Sequence, residues 1–106
     1  MLIAIASQNR TEITGHAGRC HRFWLYKIED GKISEKELLE LPKERALHHT
    51  AGHEAHELDE VDVLICGGLG QGLTQKLAGK NIKALATAEK DIEKAVADYL
   101  AGKLEE

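Results

Sequence analysis

The sequence has few of the residues that mark secreted or membrane proteins. It contains two cysteines, one proline and 4% aromatic residues among 106. Two cysteines outside a Cys-x-x-Cys spacing indicate no disulfide framework, and no apolar run approaches the roughly 18 residues of a membrane span. The short apolar N-terminus has no basic residue before it, so we expect no signal peptide and a cytoplasmic location.

Basic residues are also scarce, with 14 Lys and Arg against 18 Asp and Glu. The resulting net charge of −4 argues against a nucleic-acid partner, because nucleic acids are bound through a basic face. Hydrophobic residues make up 42% and charged residues 30%, which is typical of a folded globular protein. At this length we expect a single domain over residues 1–106.

Short apolar runs alternate with polar and glycine-containing segments. Residues 2–6 are continuously apolar and predict a strand buried on both faces. Asp30-Gly31 is a strong hairpin signal, and the strand after it carries enough charge to lie at a sheet edge. The predicted strands cover residues 2–6, 23–28, 32–41, 61–66 and 82–86.

Three helices are predicted between and after these strands, over residues 49–58, over residues 73–78, and from an N-cap at Thr87 to Gly102. The order β-β-β-α-β-α-β-α predicts an α/β fold with a mixed five-stranded sheet flanked by helices. We expect the first and fourth strands to lie parallel at its centre. Their carboxyl ends would then bring residues 7–9, His16, Cys20, the histidine-rich segment and residues 66–72 to one edge, where ligands bind in α/β sheets.

Histidine is the residue in excess. Four of the six lie within nine residues: His48, His49, His53 and His56. On the predicted helix the last three follow an i, i+4, i+7 spacing, which puts three imidazoles on one face and suits Zn, Cu, Ni or Fe. The spacing is not His-Glu-x-x-His, so a zinc protease is not supported. The alternative is a solvated face that is incidentally rich in histidine.

Two other segments could contact a ligand. His16 lies between Gly15 and Gly18, with Cys20 four residues further on, so both could ligate a soft metal or a metal–sulfur cluster; the alternative is a turn histidine and a cysteine that begins a buried strand. Residues 67–72 (GGLGQG) could offer backbone N–H groups to an anion, or serve only for close packing. They match neither a P-loop nor a dinucleotide-binding fingerprint.

Catalytic patterns are lacking in the sequence. It has no Gly-x-Ser-x-Gly motif, and the first strand has no acidic residue to begin a two-metal carboxylate site. We therefore expect a binding protein rather than an enzyme.

Three segments together resemble one known family. They are residues 1–7 (MLIAIAS), residues 15–20 (GHAGRC) followed by residues 23–28 (FWLYKI), and residues 61–70 (VDVLICGGLG). In this order they resemble the dinitrogenase iron–molybdenum cofactor biosynthesis family of the NifX, NafY and NifB C-terminal type. Ala17 replaces the usual Phe and Leu69 the usual Met, which changes the side chains available to line a pocket.

The resemblance implies a ribonuclease H-like core without that enzyme's catalytic acids. It also implies a carrier or assembly factor that binds a molybdenum- or iron-containing sulfide cluster non-covalently. His16 matches the histidine associated with cofactor binding, and a related small member, the orange protein, holds a molybdenum–copper sulfide cluster. The expected partners of a monomeric carrier are proteins that donate and accept the cluster.

Because metal–sulfide clusters are anionic, the resemblance and the motifs lead to one candidate set. The candidate cluster-binding residues are His16, Arg19, Cys20, Gly67, Gly68 and Gly70. The candidate metal ligands are His16, Cys20, His48, His49, His53 and His56. The alternative function is a histidine-rich module that binds or senses divalent metals through the last four.

Overall fold

The computed structural model describes residues 1–15, 20–45, 58–69 and 71–102 and contains one five-stranded sheet. The strands are β1 Leu2–Ala6, β2 Arg22–Glu29, β3 Lys32–Glu40, β4 Val63–Cys66 and β5 Lys83–Ala86. The helices are α1 Gln71–Ala78 and α2 Ile92–Leu100, and one 3₁₀ turn spans Lys43–Arg45. Neither of these two helices is long and apolar enough to cross a membrane.

The sheet has the order β3-β2-β1-β4-β5. β1 lies at its centre, antiparallel to β2 and parallel to β4, and β4 is parallel to β5. The predicted α/β class with a mixed five-stranded sheet is therefore confirmed, as is the central pairing of the first and fourth strands. The helix predicted over residues 49–58 falls almost entirely on residues 46–57, outside the described part of the chain.

The β2–β3 hairpin follows from its two turn residues. Asp30 (φ 53°) and Gly31 (φ 75°) both adopt positive φ, which the tightest hairpin turn requires and which Asp and Gly tolerate best. β3 lies at the edge of the sheet and is largely exposed. Its many charged side chains discourage further strand pairing along that edge.

The core has two layers because β1 is buried on both faces. On one face, Ala4 and Ala6 pack with Phe23, Cys66 and Leu77 of α1. The other face is covered by α2, which brings a buried apolar stripe against the sheet. That stripe and the strand residues beneath it include Ile3, Ile5, Tyr26, Ile65, Ile92, Ala95 and Val96. Burial on both sides explains why residues 2–6 form a continuous apolar run rather than an alternating one.

The N-cap prediction for α2 is wrong by four residues. Asp91 is the N-cap, and its Oδ1 accepts a hydrogen bond from the Lys94 N–H at 2.9 Å. Thr87 is buried and instead accepts from the Glu89 N–H. The chain between them is held away from helical geometry because the Ile13 N–H donates to the Lys90 carbonyl oxygen at 3.0 Å.

Candidate functional site

Four chain segments meet at the edge of the sheet where β1 and β4 end. Because β1 and β4 are parallel, the residues after Ala6 and Cys66 emerge side by side. β2 begins at the same edge and β3 ends there, since Arg22 pairs with Glu40. The predicted convergence is confirmed for residues 7–9, Cys20 and residues 66–69.

Two of the emerging loops touch through their backbones. The Thr14 N–H donates to the Ala6 carbonyl oxygen, and the Gly67 N–H donates to the Thr14 carbonyl oxygen, both at 2.7 Å. A Cβ atom on Gly67 would lie 2.9 Å from the Gly15 Cα, and one on Gly68 would lie 2.5 Å from the Gly15 carbonyl oxygen. Glycine is required at residues 67 and 68 because no side chain fits between the loops.

Cys20 and Cys66 lie in the apolar core beneath this contact. Their side chains are 1% and 0% exposed and belong to the same buried cluster. The Cys20 thiol donates to the Arg22 carbonyl oxygen at 2.9 Å, and the Cys66 thiol lies 3.4 Å from the Gly68 carbonyl oxygen. Burial raises the pKa of Cys20, and burial with the nearby Cys20 raises the pKa of Cys66 to about 11. Both thiols are therefore protonated at neutral pH, whereas metal ligation needs the thiolate.

Gln8 and His21 form a paired unit that the sequence interpretation missed. The Gln8 Oε1 accepts from the His21 N–H at 3.1 Å, and the Gln8 Nε2 lies 2.8 Å from the His21 Nε2. The His21 Nδ1 lies 2.8 Å from the Leu41 carbonyl oxygen. The signal lies in the register of β1 with β2, which the sequence alone does not give. Residues paired between β1 and β2 have numbers that sum to 29, as in Ala6 with Phe23, and Gln8 with His21 continues that register.

Two arginines and one glutamate surround this unit. The Arg10 Nε lies 2.7 Å and the Arg22 Nε 3.7 Å from the Glu40 Oε1. An Arg22 Nη1–H group also donates to the Gln8 carbonyl oxygen at 2.8 Å. Arg10 has a φ of 68°, and its carbonyl oxygen accepts from the Trp24 Nε1–H at 3.0 Å. This group of three charged side chains carries one net positive charge.

A shallow cavity of about 360 Å³ opens beside the loop contact. The residues that line it are Gln8, Asn9, Glu12, Ile13, Thr14, Gly15 and Lys90. Its wall mixes polar and apolar groups, and its two charged side chains, Glu12 and Lys90, have opposite signs. Within the described ranges, no group of three His, Cys, Asp or Glu side chains is arranged to hold a metal ion.

The predicted site residues divide into two groups. Cys20, Gly67 and Gly68 are described and lie together at the sheet edge. The others lie outside the described part of the chain: His16, Arg19, Gly70, His48, His49, His53 and His56. Gly15 and Cys20, which flank residues 16–19 in the sequence, both lie at this edge.

Comparison with known proteins agrees with this fold and gives the chain a family. An uncharacterized protein of Methanocaldococcus jannaschii is 26% identical over 107 residues, which cover 99% of this chain and 90% of that protein. The crystal structure of a candidate dinitrogenase of the same organism superposes with a TM-score of 0.75 at 17% identity, covering 99% of this chain and 92% of that one. The apo form of the orange protein from Desulfovibrio gigas superposes with a TM-score of 0.69 at 17% identity, covering 97% and 89%.

These two superpositions show a shared fold, whereas the family follows from the sequence as a whole. The model of the family described as Dinitrogenase iron-molybdenum cofactor matches residues 1–102. That match includes β1, the segment around Cys20, β4 with its glycines, and α2. The chain therefore belongs to the dinitrogenase iron-molybdenum cofactor family.

Proposed function

We propose that the protein is a non-catalytic carrier or assembly factor whose cargo is an anionic metal–sulfide cluster containing molybdenum with iron or copper. The observation that carries the proposal is the backbone contact of Gly15 with Gly67 and Gly68 at the carboxyl ends of β1 and β4. This contact holds together the two loops that lead into His16 and Gly70. Family membership supports a role in iron–molybdenum cofactor chemistry.

The described residues around the contact suit an anionic cargo. Arg10 and Arg22 outnumber Glu40, so the local charge favours an anion. The cavity beside Thr14 and Gly15 is open to solvent, and Lys90 in its lining offsets the charge of Glu12. An open surface releases its cargo more readily than a closed pocket does, which a carrier requires.

Among the candidate ligands, His16 is the one we assign to the metal. It directly follows Gly15, which lies against Gly67 and Gly68. Cys20 is a weaker candidate, because its thiol is buried, protonated and hydrogen-bonded to the Arg22 carbonyl oxygen. The Gly67 N–H already donates to the Thr14 carbonyl oxygen, so Gly67 contributes close packing of the loops, and Arg19 with the N–H groups of residues 68–70 would interact with the sulfides. The carrier would act as a cytoplasmic monomer that exchanges its cluster with donor and acceptor proteins.

Anaerobic reconstitution tests this proposal. Protein mixed with tetrathiomolybdate and either Fe(II) or Cu(I), then desalted, should retain metal and sulfide and show visible charge-transfer absorption. His16→Ala should lose most of that absorption. The matched control is the variant with alanine at His48, His49, His53 and His56, which should retain it. Absence of retained metal in every mixture would contradict the proposal.

The same two variants separate the carrier from the histidine-rich metal-binding module. If the fourfold variant loses Zn(II) and Ni(II) binding while no variant or mixture gives a cluster, the divalent-metal function is correct and the carrier proposal fails. If the fourfold variant binds cluster as the unmodified protein does and His16→Ala does not, the carrier function stands.

A further inference from the structure

Gln8 is the residue through which the segments at the sheet edge are connected. Its N–H donates to the Thr14 Oγ1, and its carbonyl oxygen accepts from Arg22 at 2.8 Å. Its side-chain amide contacts both the backbone and the ring of His21. Gln8 therefore ties the end of β1 to the loop at Thr14 and to the residues that enter β2.

The hydrogen bonds around His21 define which ring nitrogen donates and which accepts. The Leu41 carbonyl oxygen can only accept, so the ring Nδ1 carries the hydrogen of that 2.8 Å bond. The Gln8 Oε1 is occupied by the His21 N–H, so the amide NH₂ of Gln8 faces the ring and donates to the His21 Nε2. Every polar atom of the imidazole is then satisfied, and the Gln8 amide has one orientation.

A chain of contacts thus runs from β3 to β4 across the edge. The Leu41 carbonyl oxygen orients the His21 ring, the ring holds the side-chain amide of Gln8, and the backbone N–H of Gln8 donates to the Thr14 Oγ1. The Thr14 carbonyl oxygen in turn accepts a hydrogen bond from the Gly67 N–H at 2.7 Å. The chain ends at the glycine contact on which the proposed cargo site depends.

We propose that His21 is a positioning residue, which through Gln8 holds Thr14 and Gly15 against Gly67 and thereby maintains the loop contact on which the proposed cargo site depends. This inference rests on the carrier function proposed above. His21 acts through hydrogen bonds to protein atoms and is assigned no bond to the cluster. Its Nε2 acceptor is the essential atom, because that atom orients Gln8.

Two conservative variants separate the two hydrogen bonds of the ring. In His21→Asn, the side-chain NH₂ can replace the Nδ1–H toward Leu41, but nothing replaces the Nε2 acceptor. In His21→Gln, the longer side chain can place its Oε1 where Nε2 was and accept from Gln8. Each variant loses one ring hydrogen bond, so the two are matched in general destabilisation. Ser34→Ala, which removes the Ser34 hydroxyl bond to the Lys27 carbonyl oxygen at the far end of the sheet, is the control for loss of a remote hydrogen bond.

The first measurement is amide hydrogen exchange at Gly67, which needs no cargo. His21→Asn should accelerate exchange of the Gly67 N–H about fivefold or more, the factor that corresponds to a net hydrogen bond of about 1 kcal/mol. His21→Gln and Ser34→Ala should leave it within about twofold of the unmodified protein, allowing for partial loss of one bond. Gln8→Ala removes the amide that donates to the His21 Nε2, so it should accelerate exchange of the Gly67 N–H as His21→Asn does. Equal exchange in His21→Asn and His21→Gln would overturn the inference.

The second measurement is tetrathiomolybdate and Cu(I) titration, followed by visible absorption. His21→Asn should raise the half-saturating concentration about fivefold, and His21→Gln should restore it. If exchange changes as expected but half-saturation does not, the hydrogen-bond chain exists but does not serve the cargo, and the inference is wrong. If the unmodified protein binds no cluster, the proposed function fails, while the exchange data still report whether His21 holds the turn.

Discussion

The backbone of Gly68 lies close to the backbone of Gly15 at the sheet edge, whereas Gly72 in α1 has open space around it. Gly68→Ala would push a methyl group to 2.5 Å from the Gly15 carbonyl oxygen, and overpacking of this kind costs about 1–3 kcal/mol. Gly72→Ala should instead stabilise by about 0.5–1 kcal/mol, because alanine favours a helix. Urea unfolding of both variants checks this. Equal stabilities would show that the loops do not touch as described.

Cys66 should make stability depend on alkaline pH. Burial raises its pKa from an ordinary 9.0 to about 11, so the folded protein holds the thiol proton more tightly than the unfolded chain does. The stabilisation from this group is therefore complete below pH 9 and is lost as the pH rises to about 11, by up to about 2–3 kcal/mol.

The difference between the unmodified protein and Cys66→Ala isolates this effect, because Cys20 and Tyr26 also have raised pKa values and titrate in both proteins. Urea unfolding at several values between pH 8 and 11 should show a steeper fall for the unmodified protein. Parallel curves would mean that Cys66 is not buried in the folded state.

One residue, His21, also shows what local sequence does not predict. Residue type and spacing predict roles for His16 and the four clustered histidines, but none for His21. Its partners are Gln8, 13 residues earlier, and Leu41, 20 residues later. Only the registers of β1 with β2 and of β2 with β3 bring those atoms together, and a register is set by pairing across the sheet rather than by local sequence.

The start of α2 gives a prediction about an element. Asp91 accepts the Lys94 N–H at 2.9 Å, and loss of an N-cap acceptor costs about 1 kcal/mol. Asp91→Ala should lower the free energy of unfolding by that amount, while Asp91→Ser should retain most of it. Asp98→Ala is the control, because it removes an acid from the other end of the same helix. A loss in Asp91→Ala no larger than in Asp98→Ala would contradict the N-cap assignment.

The elements themselves followed well from local pattern. All five strands were predicted within two residues of their observed ends, since apolar runs and the Asp30-Gly31 turn are local signals. The N-cap prediction for α2 was wrong because Thr87 and Asp91 are both good caps by residue type. The contact of Ile13 with Lys90 decides between them, and that contact joins segments 77 residues apart.

The whole protein should be stabilised by the proposed cargo. The candidate site is built from the ends of β1, β2 and β4, so a ligand bound there holds the centre of the sheet together. Under anaerobic conditions, tetrathiomolybdate with Cu(I) should raise Tm progressively, with about 2.7 kcal/mol of added stability at 100 times Kd.

Molybdate with Cu(I) is the matched control, because it has the same metals without the sulfides. It should raise Tm far less. A Tm that is independent of the sulfide mixture at every concentration would contradict binding at this edge.

Local sequence pattern was sufficient for the α/β class, the strands, the exposed edge strand and the glycine-rich turn, because these depend on side-chain periodicity and on residues tolerant of positive φ. The ribonuclease H-like core remains a prediction from the family resemblance. Tertiary packing alone decided that Gly67 and Gly68 serve a contact between loops, that the two cysteines are protonated core residues, and that Gln8 and His21 join the edge. The physical reason is that close approach, desolvation and hydrogen-bond partners arise between segments far apart in the chain.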